Sequence, residues 1–184
     1  ELTLKLIPNP KEDISFILPF ADIDAAISAV PKIKLAGLSP QSIEFMERDI
    51  VDSSANYTGN KIIPTVIDGK EAGAYILVTL DGNDQDEIFQ RAETLAEIGD
   101  EIGAYDTLVL SHPADKRAVW EARSAFLTVI EAETDLIDEM DVVVPVDKIP
   151  TFLEYAHEIG DKYEVRIRSF GHAGDGNLHI YCCA

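Results

Sequence analysis

The sequence Ile14-Ser15-Phe16-Ile17-Leu18-Pro19-Phe20 is an apolar run of the length of one β-strand, and Asp22 follows it in the position of a helix N-cap. Apolar residues then recur at helical spacing, at Ile23, Ala26, Ile27, Val30 and Ile33. After Gly37 and Pro40, the short run Ile43–Met46 predicts a second strand. Strand, helix and strand in this order form one β-α-β unit.

The same order recurs further along the chain. It comprises a strand at Ala74–Leu80, a helix with Ile88 and Leu95 on its apolar face, and a strand at Thr107–Ser111. Two successive β-α-β units predict an α+β domain with a ferredoxin-like antiparallel sheet and helices packed on one face. Residues 53–68, between the units, are polar and predict a connection.

The second half of the chain extends this pattern. It predicts a helix over Ala114–Ile130, a strand at Val142–Pro145 and a helix from Asp147 onward. Two strands, Glu164–Gly171 and Asn177–Cys183, predict a C-terminal β-hairpin that extends the sheet. The acidic run Glu131–Asp141 predicts a solvated loop.

Composition excludes several classes of function. The 184 residues contain 15 Lys and Arg against 34 Asp and Glu, a formal net charge of -19. Nucleic acid is therefore excluded as a partner, because its binding depends on cationic side chains that displace counterions. No apolar run is long enough to span a membrane. The only cysteines, Cys182 and Cys183, are adjacent, which favours a reducing compartment. We expect a protein that is cytoplasmic or peripherally attached to a membrane.

Both ends of the chain carry strand-like sequence. Leu2, Leu4 and Leu6 alternate with polar residues, which predicts a half-buried strand that stops at residues 7–10. The last residues, Asn177–Ala184, form an apolar run without a turn signal or a polar tail. We therefore expect the chain to be a piece of a longer protein.

The segment Gly171-His172-Ala173-Gly174-Asp175-Gly176-Asn177-Leu178-His179 carries the candidate chemistry. An Asp-Gly pair predicts a two-residue turn at 175–176, which would set His172 directly opposite His179 with Cβ atoms about 4.5–5.5 Å apart. Two imidazoles so placed chelate one divalent metal if a further ligand is supplied from elsewhere. The same residues are also compatible with two ordinary surface histidines that bind no ligand.

Period-two alternation divides the two faces of this hairpin. One face is suited to a core and carries Val165, Ile167, Ser169, Leu178, Ile180 and Cys182. The other face is rich in groups that bind ligands and predicts a pocket; it carries Arg166, Arg168, Phe170, His172, Asn177, His179 and Tyr181.

Trp120 and Arg123 form a second candidate site, because they lie three residues apart on one face of a predicted helix. An arginine that stacks on an aromatic ring presents a bidentate fork to a carboxylate. A buried tryptophan with an arginine that extends past it to solvent fits the same sequence.

Three motifs in register give a family resemblance. GHAGDGNLH at 171–179, DVVVPVDKIP at 141–150 and WEAR at 120–123 resemble the C-terminal substrate domain of FAD-linked oxidases, the group that contains D-lactate dehydrogenases, glycolate oxidase and D-2-hydroxyglutarate dehydrogenase. LKLIPNP at 4–10 resembles the exit from the FAD-binding domain of that family, and GLSPQSIEFMERD at 37–49 an early segment of its cap domain. Residues 1–13 would then be the end of the preceding FAD-binding domain or a linker, and residues 14–184 a cap domain truncated at its C-terminus.

The resemblance implies a role for each candidate residue. Arg123 would grip the carboxylate of a 2-hydroxy acid, and Asn177 would lie close to that substrate. His172 and His179 would bind a divalent metal, usually zinc, manganese or iron, with a glutamate beyond residue 184 as third ligand. FAD would be bound by an N-terminal domain, and the catalytic base would be a histidine beyond residue 184, so residues 1–184 would be inactive alone. An electron acceptor, a protein or a quinone, would complete the cycle.

Glu139 departs from one branch of the family. Some hydroxyglutarate-type members carry a lysine at this position, where it helps to hold a second carboxylate, so the resemblance favours a monocarboxylate such as D-lactate or glycolate here. Two other functions remain compatible with the residues alone. One is a non-catalytic ferredoxin-like module for regulation or assembly, and the other is a small metal-dependent hydrolase, for which no third ligand is evident.

Overall fold

The computed structural model describes residues 1–6 and 8–184, and strands alternate with helices along them. The strands are β1 (Glu12–Phe20), β2 (Ser42–Glu47), β3 (Val66–Ile67), β4 (Lys70–Glu71), β5 (Ala74–Gly82), β6 (Leu108–Leu110), β7 (Ile137–Val143), β8 (Arg166–His172) and β9 (Asn177–Cys183). The helices are α1 (Ile23–Leu35), α2 (Arg48–Thr58), α3 (Gln85–Glu101), α4 (Pro113–Ser124), α5 (Phe126–Glu133) and α6 (Ile149–Tyr163).

Seven of these strands form one sheet in the order β6-β1-β5-β2-β8-β9-β7, and each pairing in it is antiparallel. The four strands β6-β1-β5-β2 derive from the two units β1-α1-β2 and β5-α3-β6, the ferredoxin-like arrangement. The hairpin of β8 and β9 extends this sheet beyond β2, and β7 is added at the edge. The predicted α+β class, the antiparallel sheet and the hairpin extension are confirmed.

Helices cover both faces of the sheet. Helices α1 and α3 of the two β-α-β units pack on one face as predicted, and α6 joins them in the same core. Helices α2, α4 and α5 pack on the opposite face in a second core, so the placement of helices on one face holds only for part of the fold. The central strands allow this because they are apolar on both sides: Phe16 and Ile17 are both fully buried, in different cores.

The sequence prediction of a connection at residues 53–68 is wrong over its first part, because α2 extends to Thr58. The packed side of this helix buries two serines, Ser53 and Ser54, beside the apolar Ile50 and Val51. Ser54 is 1% exposed, and its hydroxyl donates to the carbonyl of Ala122 in α4 at 3.0 Å. A polar residue with a partner on a neighbouring helix is buried without penalty, and the sequence alone does not reveal that partner.

The acidic run 131–141 is also not a loop over its whole length, because β7 begins at Ile137. Asp138, Glu139 and Asp141 lie on this strand at the edge of the sheet, where charges hinder pairing with another chain. The helix predicted over Ala114–Ile130 is divided at Ala125 into α4 and α5.

Residues 1–6 form no strand and are exposed, in contrast to the half-buried strand that their alternation predicts. Leu2 and Leu6 are 87% and 85% exposed. Ile7, the first residue of the expected strand stop, lies outside the described residues. Cys182 and Cys183 are free thiols. Over residues 1–6 and 8–184, none of the helices has both the length and the apolar character to cross a bilayer.

Candidate functional site

The β8–β9 hairpin is centred one residue earlier than the Asp-Gly pair predicts, which shifts the strand register by two residues. His172 pairs with Asn177, and His179 pairs with Phe170, so residues 173–176 form a four-residue loop. Only Gly176 in this loop has a positive φ, +83°, whereas a primed turn centred on 175–176 requires two such residues. The amides of Asp175 and Gly176 both donate to the carbonyl of His172, which stabilises the longer loop.

The prediction that His172 and His179 lie directly opposite each other is therefore wrong. The prediction that they share one face of the sheet holds. A register shift of two residues preserves the face on which each side chain lies. The two imidazoles remain diagonal neighbours, with ring centroids 5.7 Å apart and planes at 83°. His172 is about half exposed, and His179 is mostly buried.

Arg123 reaches the same face from helix α4. Its guanidinium lies over two aromatic rings, 4.5 Å from the centroid of Phe170 and 5.5 Å from that of Phe126. Trp120 lines the same cleft, but the stacking partner of the arginine is Phe170. Burial lowers the pKa of Arg123, and the nearby carboxylate of Glu44 acts in the opposite direction.

Two glutamates complete the charge distribution around these side chains. Glu44 is buried on β2 and contacts both Arg123 and His172. Glu139 on β7 lies 3.1 Å from Nδ1 of His179 and accepts a 2.9 Å hydrogen bond from the hydroxyl of Tyr181. Burial, with a further contribution from Glu139, raises the pKa of Tyr181.

These residues surround one open cleft of about 400 Å³. Its walls combine an aromatic part with a charged part, made by Trp120, Arg123, Phe170, His172, His179 and Tyr181. A second cleft of about 340 Å³ lies beside it and shares Glu44 and His172. The predicted face of the hairpin therefore does line a pocket, with one cation, two imidazoles and two carboxylates.

The structure brings Arg123, His172 and His179 together but leaves Asn177 outside this cleft. The Asn177 amide donates to Asp141 on the edge strand at 2.7 Å. Arg168, also on the predicted face, is 1% exposed and bonds to Asp49, Ser53 and Glu133. Glu44 is the site residue that sequence reasoning missed. Its only signal is a carboxylate within the apolar run Ile43–Met46.

His172 and His179 could each supply one nitrogen ligand to a metal. Each places Nδ1 near a carboxylate, 2.8 Å from Glu44 for His172 and 3.1 Å from Glu139 for His179. A ligating histidine commonly donates its other ring N–H to a carboxylate in this way, which leaves Nε2 available. Within the described ranges 1–6 and 8–184, no cluster of three or more His, Cys, Asp or Glu side chains forms a metal site.

The fold and the site together define an α+β domain with an open pocket of mixed charge on one face of its sheet. The chain belongs to the family of FAD linked oxidases, C-terminal domain, whose profile matches residues 9–184.

Curated relatives agree with this family. A D-lactate dehydrogenase of Anaerostipes hadrus is 45% identical over 184 residues, which are 100% of this chain and 39% of the relative. The glycolate oxidase subunit GlcD of Bacillus subtilis is 29% identical over 185 residues, 99% of this chain and 37% of that protein. The chain thus spans less than two fifths of the length of these relatives.

Solved structures share the fold. Those similar to the chain include p-cresol methylhydroxylase with bound substrate, at a TM-score of 0.67 and 13% identity over 96% of this chain and 39% of that one. A 4-ethylphenol oxidase from Gulosibacter chungangensis has a TM-score of 0.65 at 14% identity, over 98% of this chain and 40% of that one. At such low identity, the likeness establishes the fold alone.

Proposed function

We propose that residues 14–184 are the substrate domain of a flavin-dependent 2-hydroxy acid dehydrogenase or oxidase of the D-lactate or glycolate type. Residues 1–13 would lead into this domain from an FAD-binding domain of the same protein. The family and the relatives named above support a flavin oxidoreductase. We expect the chain alone to be inactive, and the whole protein to be cytoplasmic or membrane-peripheral and to pass electrons to a protein or a quinone.

The observation that carries this proposal is the position of Arg123 beside His172 and His179 in one cleft. A 2-hydroxy acid has a carboxylate and a hydroxyl on adjacent carbons. Arg123 would hold the carboxylate through the part of its guanidinium that Glu44 does not occupy, and the aromatic ring of Phe170 beneath it limits the directions in which the guanidinium can point. A carboxylate fixed in one orientation also fixes which hydrogen of the substrate carbon faces the flavin, which supplies the hydride acceptor when bound.

His172 and His179 would hold a divalent cation, zinc, manganese or iron, through Nε2, with a third ligand from outside the described residues. Such a cation, when bound, lowers the pKa of a coordinated hydroxyl and so favours loss of its proton. Glu44 and Glu139 would orient the two imidazoles for this task. Asn177, which contacts Asp141, would reach a substrate only after a change of rotamer, and we assign it a subordinate role.

Glu139 supports a monocarboxylate substrate. Its side chain is 42% exposed and lines the cleft that contains Arg123. A second carboxylate on the substrate would meet this negative charge rather than a cation, and like charges at close range oppose binding. D-Lactate and glycolate carry a single carboxylate, whereas D-malate and D-2-hydroxyglutarate carry two.

The experiment is anaerobic mixing of the full-length protein with each of these four acids while the flavin absorbance near 450 nm is recorded. We expect bleaching by D-lactate or glycolate and little or none by the two dicarboxylates. Residues 1–184 produced alone, with added FAD, are the control and should oxidise none of them. A colourless full-length protein, or one that ignores every 2-hydroxy acid, would refute the proposal.

A further inference from the structure

Glu44 connects the two parts of the pocket that differ in chemistry. One carboxylate oxygen, Oε2, accepts a hydrogen bond from Nη2 of Arg123 at 2.9 Å. The other, Oε1, lies 2.8 Å from Nδ1 of His172. The three residues come from β2, α4 and β8, so a single buried side chain joins three elements of the fold at the site.

The burial of Glu44 makes these contacts obligatory. The residue is only 3% exposed, so neither oxygen has ready access to water as an alternative partner. A buried carboxylate is tolerated when cationic or N–H donors satisfy it, and Arg123 supplies a full positive charge. The N–H of Arg123 donates to one oxygen of this carboxylate, which leaves the other oxygen as the acceptor that faces His172.

An acceptor at this position determines the state of His172. Since Glu44 accepts, the proton of a neutral His172 lies on Nδ1, and the lone pair lies on Nε2. On the opposite side, Glu44 engages Nη2 of Arg123 and leaves its Nη1 free for another anion. The Nε of Arg123 is buried without a partner in the described chain, so the arginine is held by Glu44 and Phe170 rather than by a full set of hydrogen bonds.

We propose that Glu44 is a positioning residue that sets the tautomer of His172 and the direction of Arg123 at the same time. This inference rests on the proposed function, because it assigns the two partners of Glu44 to the substrate and to a metal. Glu44 itself touches neither; it acts through Arg123 and His172.

Two conservative substitutions separate this role from simple packing. Glu44→Gln has nearly the same shape, but its amide presents one acceptor and one donor. In one orientation, the NH₂ group of the glutamine faces an N–H of Arg123, so two donors meet. In the other orientation, the NH₂ group donates to Nδ1 of His172, and the imidazole proton moves to Nε2. Glu44→Asp keeps the charge but is one methylene shorter, so it cannot span both partners.

Glu47→Gln is a matched control. Glu47 lies on the same strand and is 7% exposed, and it too bonds to a histidine, with Oε2 3.0 Å from Nε2 of His157. It is on the opposite face of the sheet, away from the cleft. A general effect of removing a buried carboxylate from β2 would appear in both variants.

The primary measurement needs no activity. Histidine ¹⁵N spectra of the full-length protein, treated with chelator, report which imidazole nitrogen of His172 carries the proton. We expect the Nδ1–H tautomer in the wild type and in Glu47→Gln, and its loss in Glu44→Gln. The Nε2–H tautomer in the wild type, or an unchanged His172 spectrum in Glu44→Gln, would overturn the inference. If Glu44→Gln does not fold, the inference is tested by the wild-type spectrum and by the Glu44→Asp variant.

Two binding measurements complete the test. For Zn²⁺ alone, we expect the affinity of the full-length protein to fall about 10–100-fold in Glu44→Gln, the usual effect of losing the partner of a ligating histidine, and to be unchanged in Glu47→Gln. For D-lactate, the KM should rise in Glu44→Asp and Glu44→Gln. A wild type inactive on every 2-hydroxy acid would refute the proposed function while the His172 spectra still decide the role of Glu44. If the wild type is active and Glu44→Gln leaves both the KM and the zinc affinity unchanged, the role of Glu44 is refuted and the proposed function is not.

Discussion

The guanidinium of Arg123 lies over the ring of Phe170 at 4.5 Å, and on β9 the ring of Tyr181 stacks against the same phenylalanine, with centroids 5.4 Å apart. Phe170 is 4% exposed and also meets Phe126 edge-on at 5.3 Å. A rigid aromatic group thus supports Arg123, the cationic residue that lines the cleft among residues 1–6 and 8–184. Its consequence is that the direction of Arg123 depends on a side chain that need not touch the substrate.

Phe170→Leu tests this support. We expect the KM for D-lactate to rise about 2- to 30-fold, since a cation–π contact contributes about 0.5–2 kcal/mol, while the flavin content stays unchanged. Phe45→Leu is the control, because Phe45 is fully buried in the core on the other face of the sheet. Steady-state kinetics of both variants check the prediction. Equal KM values for Phe170→Leu and the wild type would show that the ring does not orient the arginine.

Glu139→Lys should change which acids are accepted. We expect the ratio of kcat/KM for D-malate over D-lactate to increase at least about 10-fold, equivalent to ~1.4 kcal/mol, because a repulsive charge becomes an attractive one. Glu139→Gln retains an oxygen for Tyr181 and should give a smaller increase. Asp138→Lys makes the same charge change on the opposite face of β7, and there the ratio should not move. If it rises equally in Asp138→Lys, the effect is not local to the cleft.

The Glu47–His157 pair should make stability depend on pH. The hydrogen bond that His157 donates to the carboxylate of Glu47 raises the pKa of His157 above its ordinary value of 6.5. A raised folded-state pKa stabilises the fold below pH 6.5, and this contribution is lost as the pH rises through the folded value. Allowing for partial exposure of the imidazole, we expect about 1 kcal/mol.

Urea unfolding across this pH range, with His157→Gln compared to the wild type, measures that contribution. The difference in free energy of unfolding should shrink as the pH increases, and Glu47→Gln should remove the same pH dependence. A difference that is constant with pH would contradict the assignment.

Gly171→Ala should disturb the hairpin that carries both histidines. A Cβ at Gly171 would lie 2.3 Å from the carbonyl oxygen of Asn177, which is backbone and cannot move without separating β8 from β9. We expect a loss of stability of about 1–3 kcal/mol. Gly174→Ala, whose Cβ would meet Ile43 at an ordinary 3.6 Å, should change stability by no more than about 0.5 kcal/mol. Thermal unfolding of the two variants checks the contrast, and equal losses would refute it.

The repeated β-α-β order could be predicted because each unit has strong local signals: the apolar run of β1, the N-cap at Asp22, which accepts from the amide of Ala25 at 2.8 Å, and the helical stripe that follows. Helix α2 on the second face could not be predicted, whereas the region of α4 and α5 was. The packed surface of α2 contains Ser53 and Ser54, which bond to partners distant in sequence, so their burial is invisible to hydropathy.

The candidate site was predicted in part for a similar reason. Side chains alternate between the two faces along β8 and β9. The predicted and the observed register differ by two residues, an even number, so His172 and His179 stay on the same face in both. Glu44 is distant in sequence from both of its partners, Arg123 and His172, so only the folded sheet brings the three together. Asn177 lies at the end of the hairpin, where the edge strand β7 offers Asp141 as a nearer partner than the cleft.

The most direct test of the central claim, that the cleft at Arg123, His172 and His179 is where the 2-hydroxy acid reacts, is the anaerobic rate of flavin reduction in histidine variants of the full-length protein. With D-lactate, we expect His172→Ala and His179→Ala to slow reduction at least about 100-fold while the bound flavin is retained. His157→Ala removes a histidine that is paired with Glu47 on the other face of the sheet, and its flavin should be reduced at the wild-type rate. Reduction of the flavin at the wild-type rate in both His172→Ala and His179→Ala would contradict the account.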